Sequence, residues 1–202
     1  DRDPREAIRT FPLPLSYERT MLHHLAANPG DYQGALLLLP PKLLSLLVSA
    51  YQSLLFNRVL SRRIARGGLL HPLPGDRLLF SNGKEDRVTG QNQDSAALQV
   101  GRGRCRIAIR VPGCRVEGGL FDDEALMASY LAKDGIERED FCRVSDLLRM
   151  RFEGASRPIS LSTAIDARVE DRAVSLSFDL GPGQYATTVC REYMKADPLD
   201  MI

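Results

Sequence analysis

The side chains best equipped for chemistry gather near the end of the chain. Tyr185-Ala186-Thr187 leads to Arg191-Glu192 and then Lys195, which puts an aromatic ring, a hydroxyl, two cations and a carboxylate into one short segment. Tyr185 could stack on a flat ligand or, as an aromatic opening a strand, enter a core. Thr187 could line a site or bond a backbone group. Lys195 is either a phosphate contact or solvated. Further arginines stand at Arg157, in the group Arg58, Arg62, Arg63 and Arg66, and in the group Arg102, Arg104, Arg106 and Arg110. The formal net charge is only +1, yet local patches of this kind hold phosphates when total charge is small. Arg102 and Arg104 flank a glycine, so backbone there can approach a polyanion closely. For each group the alternative is a solvated face.

Other chemistries find little support. Cys105, Cys114, Cys142 and Cys190 include no C-x-x-C pair, so neither a zinc site nor a disulfide framework is expected. Reduced thiols in a cytosolic protein fit this pattern. His23, His24 and His71 show no ligand spacing, and no metal site is expected. Asp1-Arg2-Asp3 is not the start of a signal peptide, and the missing initiator Met implies a chain that begins partway through a longer protein. The Leu-rich run Ala35–Val48 is interrupted at Pro40-Pro41-Lys42 and is shorter than the ~20 apolar residues of a membrane span. It reads as buried helix, with no membrane partner.

With 202 residues, 44% of them hydrophobic, a sizeable core is possible. The amino-terminal part reads as helical. A short helix over Pro4–Thr10 stops at Phe11-Pro12, and Ser16 caps a helix over Tyr17–Ala27 that Asn28-Pro29-Gly30 ends. Asp31 caps the next turn. Pro40 and Pro41 then open a long helix to Arg66. Its apolar face is Leu44, Leu47, Tyr51, Leu54, Leu55 and Val59. Gly67-Gly68 closes it, and Arg62, Arg63 and Arg66 complement the negative end of its dipole. Gln52 and Asn57 read as buried amides bonded across helices, with direct nucleic-acid contact as the alternative.

After Leu70-His71-Pro72 short strands and turns take over. Arg77–Phe80 and Cys105–Val111 read as strands, with Ser81-Asn82-Gly83 as a hairpin-type turn. Asp122-Asp123-Glu124 opens a helix that Gly135 closes, and a short helix follows Glu137. Arg149–Phe152, Ile159–Leu161 and Ala167–Val169 are weaker strands. Val174–Leu180 alternates apolar and polar residues as a strand. Gly181-Pro182-Gly183 then turns the chain into the element that begins at Tyr185. The fold class is α+β: a helical amino-terminal part, mixed or antiparallel strands with short helices, and a terminal strand pair. Asp166, Asp171 and Asp179 read as turn or surface carboxylates.

Four segments, in order, resemble the TruD family of pseudouridine synthases in its archaeal form. Ala50-Tyr51-Gln52-Ser53-Leu54-Leu55-Phe56-Asn57 is similar to the family's A-Y-Q-S-x-L-F-N helix, and Pro74-Gly75-Asp76 to its P-G-D turn. Gly154-Ala155-Ser156-Arg157-Pro158-Ile159 resembles G-x-R-R-x-[IL], with Ser156 where an Arg is common. Tyr185-Ala186-Thr187 with Arg191-Glu192 resembles the terminal Y-A-T-x-x-x-R-E.

The resemblance implies conversion of uridine to pseudouridine in tRNA in the cytoplasm, without cofactor or metal, by an Asp carboxylate acting on a flipped-out base. In the family that Asp lies in G-x-x-D-K, and a second motif reads N-Y-F-G-x-Q-R-F-G; neither occurs here. No catalytic residue is therefore expected in this chain, which looks like the carboxy-terminal half and would be inactive without its amino-terminal partner. Residues 1–16 would connect, 17–157 would form the family's inserted domain, and 158–202 would return to the catalytic sheet. Tyr185, Thr187, Arg191 and Glu192 would support the active site, and Arg157, Lys195, Arg102 and Arg104 would contact RNA. Arg191 would stand beside the catalytic Asp or a phosphate, keeping a carboxylate ionised; equally, it would pair with Glu192 or another carboxylate to hold the terminal element. A non-catalytic RNA-binding module and an unrelated interaction domain remain the alternatives.

Overall fold

The computed structural model describes residues 3–67, 69–115, 121–181, 184–195 and 197. The chain divides into two compact units, 1–159 and 160–202, which are described separately.

The first unit opens with α1 (Pro4–Thr10), α2 (Ser16–Ala27) and α3 (Tyr32–Leu37). Asp3 caps α1 by accepting from Arg5 N, and Asp31 caps α3 by accepting from Gly34 N at 2.9 Å. Ser16 does not cap α2. It is the first helical residue, and Leu15 stands in the cap position without a side-chain bond. The Arg19 guanidinium instead joins α2 to the end of α1, donating to Ile8 O and Phe11 O.

Helix α4 (Pro41–Gly67) is the spine of the unit. Leu44, Leu55 and Val59 are buried as expected, but Leu47 and Leu54 are about half exposed. The expected apolar face is therefore split between two sides of the helix. Pro41–Arg66 is long and apolar enough, by length and composition alone, to cross a membrane, with a mean hydropathy of 1.4 over its best window. Only 22% of that window is buried, so the expectation of a buried helix holds for one side alone.

A four-stranded antiparallel sheet lies against α4 in the order β2-β1-β3-β4. Its strands are β1 (Arg77–Phe80), β2 (Glu85–Arg87), β3 (Cys105–Val111) and β4 (Ala155–Pro158). Arg77 pairs with Ala108 across β1 and β3, and Arg110 with Ser156 across β3 and β4. Between β2 and β3 runs α5 (Gln93–Gly101), where no element was expected. Then come α6 (Asp122–Asp134), closed by Gly135 in the left-handed conformation, and α7 (Arg138–Leu148), opened by a Glu137–Asp140 capping box. Helix α7 is longer than the short helix expected there. Leu55, Val59, Leu78, Ile107, Ile109, Met127, Leu131 and Phe141 form one core between sheet and helices.

Arg149–Phe152 and Ile159–Leu161 are not strands. Arg149 takes a left-handed conformation that ends α7, and Ile159, buried in the core, follows β4 with a bond from its N–H to Ile107 O. The expectation of four reduced thiols is corrected at one pair. Cys114 and Cys142 form a disulfide, tying the end of β3 to α7, while Cys105 and Cys190 are free.

The second unit holds an antiparallel hairpin, β5 (Ile165–Glu170) with β6 (Ala173–Phe178), and helix α8 (Ala186–Met194). The terminal strand pair therefore forms with the segment before Val174, not with the one after it. The element that begins at Tyr185 is a helix, in which Val189 is the buried residue. Pro182 and Gly183 of the expected turn lie outside the described residues, as does Gly68 after α4.

Candidate nucleic-acid interface

Each unit carries its own set of candidate residues, and the two sets are described separately. In the second unit, Tyr185 occupies the N-cap position of α8 with extended backbone, and its ring is 64% exposed. Thr187, Arg191, Glu192 and Lys195 are also exposed. Glu192 accepts from Lys195 Nζ at 2.9 Å. That bond, aided by the charges of Lys195 and Arg191, lowers the Glu192 carboxyl below its ordinary value. Arg191 forms no ion pair among the described residues, so its guanidinium faces solvent on a helix whose opposite side is anchored by Val189.

In the first unit, Arg157 on β4 donates to Ser53 Oγ at 3.2 Å. The preceding helical residue, Gln52, is 6% exposed and donates from Nε2 to Pro112 O at 2.8 Å. The segments around Gly113 and Gly154 cross in contact here. A Cβ on Gly113 would lie 2.0 Å from Gly154 N, and Gly154 has a φ of +81°. Glycine at both positions is what lets β4 begin beside the end of β3. Gln52, Arg151, Gly154 and Arg157 thus border an open groove of about 250 Å³. Arg151 is nearly fully exposed at its rim. Asn57, expected to be a buried amide beside Gln52, is exposed.

The other arginine groups separate into bound and open members. Arg58 pairs with Asp134 at 2.8 Å and lies over the Tyr130 ring. Arg63, expected to serve the helix dipole, is 8% exposed and bonds Asp76 through Nε and Nη2, with a further bond from Nη2 to His71 O. Asp76 also accepts from Leu73 N at 2.7 Å, so the Pro74-Gly75-Asp76 turn is fastened to the long helix. Arg66 lies 3.9 Å from Asp122. Arg102 and Arg104 are exposed just after α5, their backbone N–H groups bonding Leu98 O and Gln99 O. These two remain open to a polyanion.

A buried charge cluster was not foreseen from the sequence. The Arg77 side chain is 1% exposed and meets three carboxylates, Glu85, Asp123 and Glu124. Its guanidinium also lies 3.6 Å from the Phe121 ring centre. Asp123 accepts from Arg110 N at 2.7 Å, which continues the β3 ladder beyond the start of β1. Burial pushes the Asp123 carboxyl up despite that bond and the charge of Arg77. Burial also acts to raise Glu85, but bonds from Ser156 and Arg77 outweigh it and leave that carboxyl lowered. The signal was present as Arg77 directly before two leucines in a strand, a charge bound for the interior. Among the described residues no group of His, Cys, Asp and Glu is placed to hold a metal ion.

Comparison with known proteins covers almost the whole chain. The family model described as tRNA pseudouridine synthase D (TruD) matches residues 1–193. A curated relative from Methanosarcina acetivorans, named "Probable tRNA pseudouridine synthase D", is 34% identical over 220 residues, covering 99% of this chain and 48% of the relative. One of the same name from Methanopyrus kandleri is 35% identical over 197 residues, covering 96% of this chain and 43% of the relative. A crystal structure of a TruD protein from Methanosarcina mazei superposes with a TM-score of 0.76 at 32% identity, covering 98% of this chain and 48% of that one. The chain thus spans about half the length of the curated relatives it matches.

Proposed function

The chain belongs to the TruD family, tRNA pseudouridine synthase D, and we propose that it supplies the carboxy-terminal half of a cytoplasmic enzyme that converts uridine to pseudouridine in tRNA. The observation that carries this reading is the family match over residues 1–193, together with the similarity to archaeal relatives of about twice the length. In this reading the catalytic Asp comes from the part of a TruD protein that residues 1–202 do not match. Residues 17–157 form the inserted domain, 158–202 return to the catalytic sheet through β5 and β6, and 1–16 connect.

The chemistry asks little of this half beyond binding and electrostatics. A uridine must leave its stack to reach a carboxylate, at a cost of a few kcal/mol for unstacking. Exposed aromatic and cationic groups offset that cost by stacking and by phosphate contact. Tyr185 and Thr187, at the start of α8, and Arg191 and Glu192, further along it, face the reacting nucleotide. Arg191, without an ion-pair partner among the described residues, keeps the catalytic carboxylate ionised. Arg157, Lys195, Arg102 and Arg104 hold phosphates. No step in this scheme calls on a metal or cofactor.

The test is pseudouridine formation on tRNA by the gene's complete product, with the 202-residue chain assayed beside it. Product from the complete protein and none from the chain alone is the expected result. Product from the chain alone would place the catalytic Asp within residues 1–202. Salt-sensitive tRNA binding with no product from either would favour a non-catalytic RNA-binding module.

A further inference from the structure

Helix α4 is apolar on two sides, and this chain's first unit covers only one of them. From Leu43 to Asn57 the helix carries no charged residue. One stripe, Leu44, Gln52, Leu55 and Val59, is buried, and Leu55 and Val59 join the core formed with the sheet and α6. A second stripe, Leu46, Leu47, Ala50 and Leu54, follows helical spacing on another side and is exposed, with Leu46 at 61%, Leu47 at 50% and Leu54 at 45%. Immediately before it, Leu36, Leu37 and Leu38 at the end of α3 are also exposed, at 46%, 41% and 49%.

A helix that is hydrophobic all round belongs inside a protein or a membrane. Isolated exposed leucines need no explanation, but a continuous apolar stripe does. Each fully buried leucine side chain is worth about 1.5–3 kcal/mol relative to exposure, so leaving several uncovered forfeits a substantial share of a domain's stability. The same helix turns charged from Arg58 onward, and there its arginines find partners within the unit: Asp134 for Arg58 and Asp76 for Arg63. The uncovered apolar run therefore lies mainly in the amino-terminal half of the helix, next to the equally exposed end of α3, although Ile64 further along is 45% exposed as well.

We propose that the Leu46–Leu47–Leu54 stripe, with the leucines ending α3, is the docking surface for the half of the TruD protein that lies outside residues 1–202. Size argues for that occupant: the matched relatives carry about as much chain again as this one, enough to present a complementary apolar face. This inference rests on the reading given above, in which the enzyme is completed by that half. It adds where the two halves meet and assigns α4 to both of their cores. The apolar character that makes Pro41–Arg66 resemble a membrane span is, on this view, that of a helix packed on two sides by protein.

The experiment uses the gene's complete product with a diazirine amino acid placed at Leu47, and separately at Leu54. Irradiation is followed by mass spectrometry of the joined peptides, with pseudouridine formation measured on the same preparation. Cross-links to peptides outside residues 1–202 are expected at both positions. Cross-links confined to residues 160–202, to a second copy, or to added phosphatidylglycerol vesicles would each overturn the proposal. So would reaction with water alone. Pseudouridine formation with any of those outcomes would leave the functional reading standing while this one fails. Absence of pseudouridine would remove the functional reading itself.

Discussion

Arg157 hydrogen-bonds Ser53, a residue 104 positions earlier in the chain, at 3.2 Å. The bond joins the two segments that most resemble family signatures within the first unit, the long helix and the loop before Ile159. It fixes one edge of the guanidinium and leaves the remaining donors free to meet a phosphate. Ser53→Ala in the complete protein should cost about 0.5–1.5 kcal/mol of stability and change tRNA affinity little. Arg157→Ala should lower tRNA affinity and reduce the slope of log K against log salt by about one. Denaturant unfolding and a salt series of tRNA binding check both, and an unchanged salt slope would confine Arg157 to a structural role.

Arg77 is the group on which the first unit's buried charges depend. Its removal leaves Asp123 and Glu124, both nearly buried, without their cation. Breaking a buried pair by removing one partner typically costs about 3–5 kcal/mol. Arg77→Met is therefore expected to lower the unfolding free energy obtained from urea titration by an amount of that order. The loss should shrink when Glu124→Gln is added, because one stranded charge disappears with it. Independent, additive effects of the two substitutions would show that the cluster does not act as a unit.

The Cys114–Cys142 bridge closes a loop with a sequence separation of 28. In the chain-entropy account, closing a loop of that length removes unfolded-state freedom worth about 3–4 kcal/mol. Reductant, or Cys142→Ser, should accordingly lower the thermal midpoint. Thiol titration of the denatured protein should find two reactive groups, Cys105 and Cys190, rising to four after reduction. Four thiols without reductant would refute the bridge.

Tyr51 donates to Asp134 Oδ2 at 3.0 Å. Burial, and then that carboxylate, push the phenol up to about 12. The folded state therefore favours the neutral ring over its ordinary value of about 10. The sign follows: this stabilisation is full below about pH 10 and is lost as pH rises from about 10 towards about 12. Tyr51→Phe should lack that part of the alkaline loss. An absorbance titration should show one tyrosine ionising near pH 12 that is missing in the variant.

Much of this architecture was readable because local signals agreed with one another. Asp31, Gly135 and the carboxylates opening α6 sit where helix-end chemistry requires them, and β1 and β3 follow their alternating patterns. Helix α5 was missed because its apolar residues, Ala96, Ala97, Leu98 and Val100, span little more than one turn, too short a run for a helical period to show. The split face of α4 was hidden for the opposite reason: so many leucines fit a 3.6 period that periodicity could not choose a side. The Arg63–Asp76 clasp and the cysteine bridge join residues far apart in sequence, and spacing carries no record of such tertiary partners. Of the candidate interface, residue types and order were legible. That Arg157 would be held by Ser53, and that Glu192 would bind Lys195 instead of Arg191, required coordinates.

Arg191 separates a chemical role from a structural one. Its guanidinium has no ion-pair partner among the described residues, while Glu192, its neighbour, is satisfied by Lys195. An exposed Arg with no partner among the described residues contributes little to stability, so Arg191→Ala should leave the unfolding free energy of the complete protein within about 0.5 kcal/mol of wild type. If the residue acts on the reacting carboxylate or on charge that develops during the reaction, its loss lowers kcat more than it raises KM. Arg191→Lys should recover part of kcat by restoring the charge without the fork. A phosphate-binding role would instead raise KM and reduce the salt dependence of tRNA binding, with kcat preserved. Equal, small effects on kcat and KM together with a lowered unfolding midpoint would return Arg191 to the structural role of holding the terminal helix.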